Sequence, residues 1–171
     1  MPIPPEEIDA ADALVRERVT ITPFWEVASW PGLSTLAEWS SDPSVAQVDH
    51  LSESEAVVIS VRTAHHQDST RVLKRMHARS LMQRGDVPYQ ETRVGIPEAS
   101  RATTLSVDGQ YFEAQHWADA DSWWLAVDLT DGTAVVVGGA IQMPVARELR
   151  AVTEIEPLLT ARRERLLRHQ D

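Results

Sequence analysis

From Arg101 to about Met143 apolar and polar side chains alternate along the chain with a period of two, interrupted by turn-forming pairs. That period places alternate side chains on opposite faces of an extended strand. It predicts strands over Arg101–Val107, Tyr111–Trp117 and Trp123–Leu129, with a fourth from Thr133 to about Met143. Asp108-Gly109 suits a two-residue type I′ hairpin, and Thr130-Asp131-Gly132 makes the last turn. Gly138-Gly139 reads as a bulge or sharp bend, and Pro144 ends the sheet before a further edge strand at Leu149–Ile155. Trp123 and Trp124 are neighbours in one strand and must face opposite ways, so both faces of the sheet need cover.

Helical periodicity is clearest over residues 68–84. Val72, Leu73, Met76, Ser80 and Leu81 or Met82 recur at helical spacing, with Asp68 or Ser69 as the cap and Gly85 as the stop. Arg71, Lys74, Arg75 and Arg79 line its flanking face. Residues 5–18 form a second helix, with proline in its first turn, acids at its positive end and a narrow stripe of Ile8, Ala11 and Leu14 or Val15. Residues 157–169 form a third, led by Pro157.

The intervening segments show weaker patterns. Val19–Thr22 suits a short strand, and residues 24–39 read as a packed loop anchored by Phe24, Trp25, Trp30 and Trp39, with Ser34 capping a helical turn. Residues 40–50 are turn-rich. Ser52 and Glu55 match a capping box, yet the β-branched run behind them favours a strand over Ala56–Arg62. A short strand at Gln90–Ile96 completes the reading. The predicted fold is α+β in a single domain, residues 1–171. An antiparallel meander of four to five strands (about 101–155), which the strand at 56–62 can extend, carries the basic amphipathic helix 68–84 on one face, and the terminal helices lie at its margins.

Composition narrows the function classes. The chain has 171 residues, 43% of them hydrophobic and 25% charged, which suits one globular domain. It contains no cysteine, which excludes disulfides, thiolate nucleophiles and cysteine-based metal clusters. The first residues lack a secretory signal and no apolar run is long enough to span a membrane, so cytoplasm is the default compartment. Net charge is −10, but it is segregated: residues 1–61 carry 11 acids against 2 bases, and residues 62–93 carry 7 bases against 3 acids. Residues 94–146 are again acidic, with 7 acids against 1 base. Alternation of this kind suits complementary faces within the chain or in a dimer, and the negative total argues against a broad nucleic-acid surface.

Recognisable catalytic patterns are lacking. His65-His66 with Asp68 and His77 has no established metal-ligand spacing, and adjacent histidines diverge. His116 with Glu113, Asp119 and Asp121 reads as a solvated turn. No G-x-S-x-G elbow appears, and Gly138-Gly139 lacks the setting of a phosphate loop. No cofactor or metal is implied. The surplus of tryptophan, 6 residues against 2 Phe and 2 Tyr, favours a non-enzymatic protein-interaction or regulatory module that self-associates or binds a protein partner. Two other classes compete with it. One is a small-molecule-binding protein or enzyme with a pocket between the sheet and residues 24–39, reached by His116, Tyr111 and Arg101, with Trp117, Trp123 and Trp124 as candidates for either the ligand or the interface. The other is a nucleic-acid contact through Arg71, Lys74, Arg75 and Arg79.

Overall fold

The computed structural model describes residues 2–19, 23–37, 43–83 and 100–169. Its centre is one nine-stranded sheet, not the meander of four to five strands expected from the sequence. In chain order the strands are β1 (Phe24–Val27), β2 (Ser34–Leu36), β3 (Val45–Leu51), β4 (Val57–His65), β5 (Arg101–Val107), β6 (Gln110–Ala118), β7 (Ser122–Asp128), β8 (Thr133–Ala140) and β9 (Glu148–Val152). Their order across the sheet is β1-β9-β5-β6-β7-β8-β4-β3-β2. Every pairing is antiparallel except β5 with β9, so the sheet is mixed.

The expected meander is present as β5 to β8, and Asp108 and Gly109 both take the positive φ that a type I′ turn requires. On either side of it the sheet is larger than the expected four to five strands. After β8 the chain crosses the inner face of the sheet, where Met143, Val145 and Ala146 pack on the core and the Met143 carbonyl accepts Trp123 Nε1 at 3.0 Å. It therefore reaches β5 running in the same direction, and β9 lies inside the sheet between β5 and β1, not at an edge. On the other side, β8 pairs with β4, which extends the sheet through β3 to β2. Ser34–Leu36 is a strand, not a helical turn, and β3 runs through residues read as turn-rich. Residues 24–27 and 34–36 thus belong to the sheet instead of covering it.

The sheet curls into a half-barrel. Its two edge strands, β1 and β2, are consecutive in the chain, so the segment between them must bridge the opening. Beyond its pairing with β9, β1 lies across β3 and β4 and offers them its free amides. Trp25 N–H donates to Thr63 Oγ1 at 3.2 Å and Val27 N–H donates to His50 Nε2 at 3.1 Å. These side chains take the place of a neighbouring strand for an otherwise unpaired edge.

The concave face holds the largest core, in which Trp123, Leu105, Leu125 and Val137 are buried. The convex face of β7 and β8 is covered by α2 (Ser69–Gln83), whose Val72, Leu73 and Met76 pack on Trp117, Trp124 and Val136. Asp68 Oδ1 accepts Arg71 N–H at 3.1 Å at the start of α2, and Asp128 holds Ser69 through both its amide and its hydroxyl. A third cluster joins Val15 of α1 (Pro5–Arg18) and Leu158 and Leu159 of α3 (Glu156–Arg168) to Phe24, Leu36 and Val48. The terminal helices therefore pack beside the gap between the sheet's edges. Residues 20–22, 38–42 and 84–99 lie outside the described residues, and with them Trp39 and the strand expected at Gln90–Ile96.

The Trp123-Trp124 pair explains Gly138-Gly139. In regular register, Trp124 lies opposite Gly138 and Trp123 opposite Gly139. A Cβ on Gly138 would stand 2.3 Å from Trp124 Cζ3, and one on Gly139 would stand 2.2 Å from Trp123 Cζ2. The glycines are not a bulge or bend. Each face of β8 is left bare so that an indole from β7 can lie across it.

Candidate ligand-binding cleft

Among the described residues, the convex face of the sheet is open beyond α2. A cleft of about 890 Å³ lies there, within the range of small-molecule sites, with β3, β4 and β8 beneath it and α2 and α3 contributing to its lining. The floor follows from strand alternation. Gln47 and Asp49 on β3 point the same way as Arg62 and Ser60, their register partners on β4. The four form a connected network. Ser60 Oγ donates to Asp49 Oδ1 at 2.7 Å, Gln47 Nε2 donates to the same oxygen at 2.9 Å, and Arg62 Nε donates to Gln47 Oε1 at 3.1 Å.

From α2, Met76, Arg79 and Ser80 reach the cleft, at the spacing that puts side chains on one helix face. From α3, Arg162, Arg165 and Leu166 do so, followed by His169. The two helices differ electrostatically. On the α3 side, Arg162 is 3.5 Å from buried Asp12, while Arg168 and His169 each stand 2.8 Å from Glu55. Arg165 donates to the Glu55 carbonyl at 3.1 Å. On the α2 side, Arg71, Lys74 and Arg79 are exposed and form no ion pair with the described residues, and Arg75 reaches only Gln67, at 3.5 Å. Burial lowers the pKa of the Arg62 guanidinium, the positive charges of Arg79 and Arg75 lower it further, and Asp49 opposes them. Positive charge therefore gathers where α2 meets the floor.

At the opposite end, Asp119 organises the β6–β7 turn. Its Oδ1 accepts the amides of Asp121 and Ser122 and the Ser122 hydroxyl, and its Oδ2 lies 3.4 Å from Nε2 of buried His77. Burial pushes the Asp119 carboxyl up, but these hydrogen bonds together hold it below the usual range. Ser122 donates to the carboxylate and accepts Trp124 Nε1 at 3.1 Å, so its hydroxyl ties the turn to the tryptophan.

The residues singled out from the sequence are dispersed. Trp123 is in the concave core and Trp117 lies beneath α2, 4.3 Å ring to ring from His77. Trp124 is buried under α2, with an edge on the cleft. Arg101 and His116 are paired across β5 and β6, and burial followed by Arg147 and Arg101 lowers the His116 pKa. Tyr111 is 76% exposed and, by alternation, faces away from His116. These three therefore do not converge. His65 and His66 lie 6.0 Å apart ring to ring, and among the described residues no three metal-ligating side chains gather. Of the basic helix, only Arg79 lines the cleft.

The sequence reading missed Gln47, Asp49, Ser60 and Arg62. Their signal was a polar residue at every second position of β3 and β4, recognisable only once the two strands are paired. No protein-family model, curated protein or solved structure matches the chain. Among the described residues, no helix is long and apolar enough to cross a membrane.

Proposed function

We propose that this protein is a small-molecule-binding protein whose cleft takes an anionic ligand. The observation that supports this is the environment of Arg62. Its guanidinium lines a cleft with Arg79, whose positive charge it feels, and Asp49, the described carboxylate that opposes that charge, already accepts hydrogen bonds from Ser60 and Gln47. Desolvated cations favour an anion that reaches them, and the guanidinium fork suits planar oxyanions. This reading moves the pocket expected from the sequence to the outer face of β3 and β4, and it gives one residue of the basic helix a role. Self-association through tryptophan draws no support from Trp117, Trp123 and Trp124, which are buried within the chain.

A thermal-shift screen of organic anions against matched neutral and cationic compounds tests the proposal. Anions should raise the melting temperature selectively, and Arg79→Glu should abolish the effect while leaving the unliganded melting temperature near that of the parent. Equal shifts in the parent and the charge-reversed protein would refute the reading.

A further inference from the structure

We propose that the ligand is a phosphate monoester of a small organic molecule, with its phosphate between Arg62 and Arg79 and its organic part against Met76 and Trp124. The inference rests on the anion-binding reading of the cleft and deepens it.

Two features favour phosphate over carboxylate. The first is the number of donors. Arg62 commits Nε to Gln47, and among the described residues its two terminal nitrogens and the whole fork of Arg79 make no hydrogen bond. A carboxylate presents two oxygens and one charge. A phosphate monoester presents three terminal oxygens and about −1.5 to −2 charges at neutral pH, so one guanidinium can bind two oxygens while the other binds the third. The second feature is charge. At Arg62 the positive charges of Arg79 and Arg75, the latter one helical turn before Arg79, are opposed among the described residues by Asp49. A dianion fits that excess better than a monoanion.

Two further features define the remainder of the molecule. A bare phosphate would fill little of about 890 Å³. The rest of the lining is mixed: Met76, Trp124 and Leu166 are apolar, and Ser80 and Gln142 can serve hydroxyl or amide groups. Asp121 also lies on the lining, and the arginines of α3 are already paired with Asp12 and Glu55. A second anionic group would therefore meet an acid or neutralised bases, which favours one phosphate over a polyphosphate or a nucleic-acid backbone.

Isothermal titration of the full chain with phenyl phosphate, inorganic phosphate, benzoate and succinate tests the assignment. Phenyl phosphate should bind most tightly, and inorganic phosphate more weakly at the same site. Arg79→Ala should weaken phenyl phosphate by about tenfold or more, as expected for a lost charge-assisted hydrogen bond. Arg62→Lys, which keeps the charge but loses the fork, should weaken it too, whereas Lys74→Ala, on an exposed position outside the cleft, should not. Benzoate or succinate binding as tightly as phenyl phosphate would overturn the phosphate assignment and leave the anion-binding reading intact. Binding by none of the four would overturn both. Phenyl phosphate binding unchanged in Arg79→Ala and Arg62→Lys would overturn the placement.

Discussion

His50 makes acid sensitivity a direct test of how the half-barrel is closed. It is fully buried on β3, its Nε2 accepts Val27 N–H from β1, and its Nδ1 lies 2.8 Å from Ser34 Oγ on β2. A backbone N–H can only donate, so Nε2 is unprotonated and Nδ1 carries the proton given to Ser34. The ring thus joins both edge strands and works only when neutral. Burial, and then the positive charge of Arg150, lower its pKa from 6.5 to about 4. The folded pKa is below the unfolded one, so between these values the unfolded chain binds more protons. The contribution of neutral His50 is complete above about pH 6.5, declines as pH falls, and is exhausted near pH 4. At about 1.4 kcal/mol per pKa unit, the loss is about 3 kcal/mol, a large part of a typical domain's stability. Urea unfolding followed by tryptophan fluorescence at pH 7, 6, 5 and 4 measures it, with His50→Gln as the reference that cannot titrate. The variant should start less stable at pH 7, and its gap from the parent should close towards pH 4. Parallel curves for the two proteins would show that His50 does not couple closure of the sheet to pH.

Two further substitutions probe the hydrogen bonds that hold β1 and α2. Thr63→Val keeps the shape but removes the acceptor of Trp25 N–H, so it should cost about 1–3 kcal/mol in urea unfolding, the usual penalty for an orphaned buried donor. Asp128→Ala releases the amide and hydroxyl of Ser69 at the start of α2 and should cost about as much, with hydrogen exchange accelerating first along α2. Because α2 supplies Arg79, the same change should also weaken anion binding, whereas Thr63→Val, on the concave side, should leave it unaltered.

What could be read from the sequence was local. Alternation and the Asp-Gly turn specify β5 to β8, and helical spacing with a cap specifies α2, since these signals need only neighbouring residues. The half-barrel depends on long-range pairings. Gln47, Asp49 and His50 make VAQVDHL look like a turn, because the strand carries a polar network on one face and a buried imidazole on the other. Phe24–Val27 is too short to show a period, and it becomes a strand only through β9 on one side and the acceptors Thr63 and His50 on the other. The parallel pairing of β9 depends on the crossing of residues 141–147, about which local propensity says nothing. The basic helix was visible, but the convergence of one of its arginines on Arg62 was not, because that convergence depends on β4 pairing with β8.

The cleft and the core share one packing device, which separates their requirements. Gly138 and Gly139 are adjacent and each would drive a Cβ into an indole, so alanine at either should destabilise the fold by about 1–3 kcal/mol or more. Their faces differ. Gly138 lies beside Ser60 on the convex face and lets Trp124 lean over β8 towards the floor of the cleft, whereas Gly139 accommodates Trp123 in the concave core. Gly138→Ala should therefore move a wall of the cleft and weaken anion binding as well as stability. Gly139→Ala should reduce stability and leave the affinity of the folded protein unchanged. Stability by urea unfolding and affinity by titration below the melting temperature separate the two effects. Trp124→Leu should offset the stability loss of Gly138→Ala but not that of Gly139→Ala, because only the first pair shares a face. If both alanine variants weaken binding equally, the convex row from Ser60 through Gly138 to Trp124 does not shape the ligand site.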